Sequence, residues 1–141
     1  MERFGFRGLR CSTRPDAIDG EVLSLLKAYH MVAVELGAQS MDGEVLRRNR
    51  RGHSPEDTVR AAGLIRAAGL ELGLQMMTGL YGSTPEKGVN AIGRLLLALK
   101  KLGLDGDSGQ AAAFLADVLG EETRGEGLGI AAHAVALIET L

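Results

Sequence analysis

Hydrophobic positions along this chain fall into two kinds of run. Leu9–Ser12, Val32–Ala38 and Leu70–Met77 are short, and Val32–Ala38 is apolar at nearly every position except Glu35. Between them, apolar residues recur three and four apart, on Val22, Leu25, Leu26 and Tyr29, and later on Val59, Ala62, Ile65 and Ala68. Short runs bounded by turn residues predict strands, and the wider spacing predicts helices. A run as apolar as Val32–Ala38 predicts a strand buried on both faces.

The punctuation between these runs is specific. Pro15 drives Arg14 into extended backbone and stops the first strand, and Asp16 or Asp19 can cap the helix that follows from Gly20 to His30. Asp42 opens a short helix to about Arg48, with Val45 and Leu46 inward. Ser54-Pro55-Glu56-Asp57 joins a capping side chain, a proline at the first helical position and acids in the first turn, and that helix ends at Gly69. Ser83-Thr84-Pro85-Glu86 repeats the signal. Strand–helix alternation predicts an α/β fold of βα units on three parallel strands. Ligands of such sheets collect at the carboxyl ends of the strands, here Gln39, Ser40, Gln75, Thr78 and Gly79.

Beyond Pro85 the pattern changes. Val89, Ile92, Leu96, Leu99 and Leu102 form one amphipathic stripe. Asp105–Gly109 reads as a turn, Gln110–Leu119 as a helix, Gly120–Gly127 as a polar turn and Leu128–Leu141 as a last helix. The chain therefore divides into a βα region over residues 1–84 and an all-helical C-terminal part over residues 85–141.

Composition narrows the chemistry. A net charge of -2 gives no general attraction to nucleic acid or to an anionic membrane, and aromatic residues at 4% leave few stacking platforms for bases. A single cysteine, Cys11, allows no internal disulfide and points to a reducing compartment. No apolar run is long enough for a membrane span, and Met1–Arg7 lacks the apolar core of a signal peptide, so the expected location is cytoplasmic.

Individual residues carry both a chemical and a plainer reading. Glu35 could act as an acid or base, but a buried carboxylate more often finds a cation, Arg14 or another arginine. Arg47, Arg48, Arg50 and Arg51 could grip a carboxylate or phosphate; the plainer account is a positive helix end favoured by its dipole. His30, His53 and His133 have no metal-ligand spacing, and His53 reads as a structural hydrogen-bonder. Cys11 reads as a small hydrophobe in a strand.

Four separated strings, in order, carry a resemblance: Ser-Thr-Arg-Pro-Asp from Ser12, Glu-Leu-Gly-Ala-Gln-Ser-Met-Asp from Glu35, Asn-Arg-Arg-Gly-His-Ser from Asn49, and Gly-Leu-Gln-Met-Met-Thr-Gly-Leu-Tyr-Gly from Gly73. Together they resemble the radical SAM family, in particular its branch similar to the Elongator catalytic subunit, with oxygen-independent coproporphyrinogen oxidase a more distant relative. The resemblance implies a partial (β/α) barrel and makes the three strands consecutive middle strands of it. It implies a [4Fe-4S] cluster that reduces S-adenosylmethionine (SAM) to a 5′-deoxyadenosyl radical and, in the Elongator-like branch, action on tRNA.

By position, the SAM-contacting glutamine and arginine of relatives fall on Gln39 and Arg51. The other three arginines of that run are left to solvent. Further cofactor-binding positions fall on Ser12 and Gln75, where the distant relative carries acids. An amide suits the ribose or amino acid part of SAM, and a guanidinium can fork onto its carboxylate.

The departures matter equally. A Cys-x3-Cys-x2-Cys motif is absent, and a cluster needs three or more thiolates. The expectation is an internal piece of a radical SAM barrel, inactive alone, whose partner would be a missing barrel half or a second copy. The alternative is a non-catalytic binding or assembly module that pairs through exposed strand edges or the C-terminal helices.

Overall fold

The computed structural model describes residues 5–77 and 79–101. Chain contacts gather them into two units. One holds the residues up to Gln39 together with Gly52–Met76, and the other holds Ser40–Arg51 with the residues from Met77 onward.

The first unit is a parallel sheet with helical crossovers. Strand β1 (Leu9–Thr13) ends where Arg14 turns extended (φ -81, ψ 148) ahead of a 3-10 turn at Pro15–Ala17, as a residue preceding proline must. Asp19 then caps α1 (Gly20–Ala28) by accepting from the Val22 N–H at 2.8 Å. Strand β2 (Met31–Gln39) follows after His30, whose φ of 62 reverses the chain. Helix α3 (Pro55–Ala67) returns the chain to β3 (Glu71–Met76). The helix between them in sequence, α2 (Gly43–Arg48), belongs to the second unit.

The three strands form one sheet in the order β1-β2-β3, both pairs parallel. Ser12 stands beside Glu35 and Glu35 beside Gly73, while Gln39 pairs with Met76 after a register shift. The predicted side-by-side parallel arrangement is the one observed.

The core lies between sheet and helices. Ala33, Val34, Leu36 and Ala38 are fully buried, with Ile18, Leu23, Ala61, Ala62 and Ile65 against them in the same unit's interior. Glu35 and Gly37, by contrast, keep partial exposure. The expectation that β2 is buried on both faces holds in part: Ala33, on the same face as Glu35, is fully buried, while Glu35 and Gly37 make the rest of that face polar and partly exposed. Helix α1 also turns differently from its apolar spacing. Leu23 is its buried residue, whereas Leu25 is 59% and Tyr29 67% exposed. Tyr29 falls beyond the last helical turn, so it cannot complete the stripe.

Side chains of one crossover satisfy the ends of the other. Lys27 Nζ donates to the Ala68 carbonyl at 2.6 Å, just past α3, whose last carbonyls on Ile65 and Arg66 accept from the Leu70 and Gly69 N–H groups. Arg60 Nη1 donates to the Ile18 carbonyl at 2.8 Å. The start of α3 is a complete capping box: Ser54 Oγ accepts from the Asp57 N–H, and the Asp57 carboxylate accepts from the Ser54 N–H at 2.8 Å.

In the second unit, Asp42 caps α2, and Val45 and Leu46 are buried as their spacing predicts. Asn49 clamps the loop around Tyr81 by donating to the Tyr81 carbonyl at 2.9 Å and accepting from its N–H at 3.2 Å. Thr84 Oγ1 accepts from the Lys87 N–H at 3.2 Å at the start of α4 (Pro85–Lys101), where Ala91 and Leu95 are buried. The side chains of Val89, Ile92, Leu96 and Leu99 lie outside the described residues. So do Leu102, the Asp105–Gly109 turn, and the predicted helices Gln110–Leu119 and Leu128–Leu141. Among the described residues no helix is long and apolar enough to cross a membrane.

Two measurements check this packing. Leu23→Ala should cost about 2–5 kcal/mol in urea denaturation, as removal of a buried leucine does, while Leu25→Ala should stay within about 0.5 kcal/mol. The Ser54 backbone N–H holds the Asp57 carboxyl below the ordinary carboxylate range, against an opposing effect of burial. Its contribution is thus present above the unfolded pKa of about 4 and fades as pH falls through the lower folded value. Asp57→Asn should flatten the acid limb of a stability-versus-pH curve and lower stability at neutral pH.

Candidate functional site

The polar face of the sheet is built by alternation along three strands. Arg10 and Ser12 on β1, Glu35 on β2 and Gln75 on β3 converge there. Glu35 Oε2 accepts from Ser12 Oγ at 3.2 Å and from Gln75 Nε2 at 2.8 Å, and Glu35 Oε1 lies 3.4 Å from Arg10 Nη2. The expected pairing of Glu35 with Arg14 or another arginine is met by Arg10, because Arg14 is held by its near neighbour Asp16. Gly73 opens the space for this arrangement: a Cβ there would sit 2.8 Å from Glu35 Cγ. The predicted residues Ser12 and Gln75 therefore meet through a carboxylate that the sequence marks only as an acid in an apolar run.

Gln39 ends β2 with φ 65, in the left-handed region, and is 7% exposed. Its Oε1 is buried without a hydrogen-bond partner. Such an acceptor costs about 1–3 kcal/mol until a donor reaches it. From 15 residues along the chain, His53 Nε2 lies 3.1 Å from the Ala38 carbonyl, which matches its expected structural role and steadies the strand end. Gln39 makes no side-chain hydrogen bond to Ser12 or Gln75.

Residues of the second unit are placed as follows. Ser40 Oγ accepts from the Asp42 N–H at 3.0 Å, so it serves loop backbone. Arg47 and Arg48 both pair with Glu44 on their own helix, and Arg50 turns the chain with φ 51. Arg51 is half-buried; its N–H donates to the Leu46 carbonyl at 3.1 Å, and its guanidinium has no ion pair among the described residues. Thr78 lies outside the described residues, and Gly79 adopts φ 68. Lys87, 3.8 Å from Asp42, lines a small cavity with Met41, Asn90, Ala91 and Arg94.

No group of three His, Cys, Asp or Glu among the described residues could hold a metal ion. Cys11 is half-buried, and burial, then the charge of Glu35, raises its thiol above the ordinary value. A protonated thiol is a poor metal ligand. The chain's one cysteine thus does not fit an iron–sulfur cluster, which needs three or more thiolates.

A model of the Radical SAM superfamily matches residues 2–95. The chain is similar to tRNA uridine(34) acetyltransferase of Methanocaldococcus infernus, 38% identical over 74 residues, which cover 52% of this chain and 14% of that protein. It is 36% identical over 80 residues to the protein of that name from Dehalococcoides mccartyi, covering 57% of this chain and 17% of the relative. Protein YhcC of Escherichia coli is 32% identical over 103 residues, 70% of this chain and 32% of its own length. Among solved structures, archaeal Methanocaldococcus infernus Elp3 with an N-terminal deletion superposes with a TM-score of 0.61 at 32% identity, covering 63% of this chain and 21% of that one.

The environment of Cys11 sets its reactivity. Iodoacetamide should alkylate it more slowly than a free cysteine at pH 8, and Glu35→Gln should speed the reaction less than about tenfold by removing the smaller of the two causes. A pH series of alkylation rates checks both the raised pKa and its partial relief.

Proposed function

The chain belongs to the radical SAM superfamily, and from that premise we propose that it binds SAM at the carboxyl ends of β1–β3. The observation that carries this reading is Gln39 Oε1, a buried acceptor with no protein partner at the end of β2. SAM offers donors for it in its ammonium group and ribose hydroxyls. Ser12 and Gln75, joined by Glu35, supply further polar contacts on the same face. The sequence correspondence adds Arg51 for the ligand's carboxylate, an assignment that rests on the motif and on the fork geometry of a guanidinium.

When bound, SAM supplies the adenosyl group on which the family's radical chemistry depends. The residues described here bind and orient; Gln39 and Gln75 offer acceptors, and Glu35 holds a balancing charge beside Arg10. With Cys11 as its one thiol, this chain by itself does not cleave SAM, and cleavage requires thiolates from another source. The chain spans 14–17% of the length of the acetyltransferase relatives. We therefore offer action on tRNA uridine, named for those relatives, as the reaction that this region serves, in the cytoplasm.

A second reading is an assembly module. It is favoured by one observation: β1 and β3 each flank only β2, so among the described residues each leaves an edge of unpaired backbone groups. Light scattering on the purified chain distinguishes a stable oligomer from a monomer.

Calorimetric titration tests the first reading. The wild-type chain should bind SAM, and Gln39→Ala and Arg51→Ala should each weaken binding about tenfold or more, as loss of a buried or charge-assisted hydrogen bond does. Anaerobic treatment with iron and sulfide should leave no stable cluster absorption. Absence of SAM binding, or a stable cluster, would overturn it.

A further inference from the structure

Glu35 touches three side chains, of which Arg10 carries a charge and Ser12 and Gln75 are neutral donors. Its carboxylate can only accept hydrogen bonds. Whatever faces Oε2 must therefore present a donor, and the amide of Gln75 does so with Nε2 at 2.8 Å. That contact fixes which way the amide is turned. Its other atom, Oε1, is then the one offered away from Glu35, on an exposed residue. Ser12 Oγ, 3.2 Å from the same Oε2, spends its proton there; one acceptor position faces Gln75 Nε2 at 3.5 Å, and a hydroxyl's second acceptor position is left for a ligand.

The backbone is shaped to permit this. Glu35 reaches across β3 over Gly73, where a Cβ would stand 2.8 Å from Glu35 Cγ and 3.5 Å from its Cβ. Any larger residue at that position displaces the carboxylate. Arg10 Nη2 at 3.4 Å from Oε1 steadies the far side of the group from an exposed position.

We propose that Glu35 is a positioning residue: by holding Ser12 and Gln75 as donors, it turns both into acceptors for the ligand and so selects a hydroxyl or ammonium there over a carboxylate. This rests on the SAM reading above and deepens it, since SAM carries both kinds of donor.

The side-chain amide signals of Gln75 in the nitrogen–proton spectrum of the full chain read its orientation directly, and SAM titration reads the consequence. Glu35→Ala and Gly73→Ala should each shift the Gln75 amide signals, leave the backbone signals of α1 and α3 in place, and weaken SAM binding about tenfold. Gln75→Glu sets two carboxylates face to face and should weaken it further. The exchange Glu35→Gln with Gln75→Glu reverses donor and acceptor while keeping an acceptor towards the ligand, and should restore binding to within about threefold of wild type. A merely structural role predicts no such rescue. Unchanged Gln75 amide signals in Glu35→Ala, or a double variant no better than Gln75→Glu alone, would overturn the assignment. If the wild-type chain binds no SAM, the SAM reading falls, and the amide signals alone decide whether Glu35 positions Gln75.

Discussion

Strand β2 is paired along both edges, and that double pairing sets what every other residue of the first unit can do. Parallel strands cannot be joined by a tight turn, so each pairing obliges the chain to travel back along a helix. Those helices need a face to bury, which Val34, Leu36 and Ala38 supply. Once Val34, Leu36 and Ala38 are committed to the helices, Glu35 and Gly37 must point the other way, since side chains alternate along a strand. The polar face is thus a consequence of the packed one. A slip of one residue in register would exchange them and bury the carboxylate in the core.

That consequence also explains how a charged residue is tolerated in the central strand. A carboxylate partly withdrawn from water gains from having its oxygens satisfied, and Glu35 has donors from both neighbouring strands together with a guanidinium. Parallel pairing is what makes the donors available: Ser12 lies beside Glu35 in the register, and Gln75 lies two residues beyond its partner Gly73, on the same face. The glycine contributes by lacking a side chain. Fold and candidate site are in this sense one construction, in which the helices choose the face and the register chooses the partners.

Much of this was legible in the sequence, and the reasons differ by element. Capping signals are local chemistry, so Asp42 and the Ser54–Asp57 box appear where the residues announce them. The three strands were legible because apolar density and Pro or Gly punctuation also act over a few residues. Which face of α1 packs was not legible, because Leu25 and Leu26 are both apolar and the choice falls to the sheet, leaving Leu23 inside. Glu35 stood out as an acid in an apolar run, yet its partner depends on strand register, which brings in residues 23 and 40 positions away. Sequence left the arginine open between Arg14 and others; Arg14 is claimed by Asp16 two residues on, since a short-range pair forms with less loss of chain entropy, and Arg10 pairs with Glu35. The left-handed backbone of Gln39 has no sequence sign at all, since any non-glycine residue pays for it only when surrounding structure demands it.

The division between ligand binding and electron chemistry follows from the same geometry. Binding donors and acceptors can be read off three adjacent strands because each strand supplies at least one polar residue to a shared face. A cluster needs three thiolates within one coordination sphere, and the sheet brings forward a single half-buried thiol that burial and Glu35 both keep protonated. The carboxylate that orders the polar face therefore also works against metal ligation at Cys11. In the proposed reading, neutral amides and one balanced charge orient SAM, and its reduction draws on groups with the opposite electrostatic requirement.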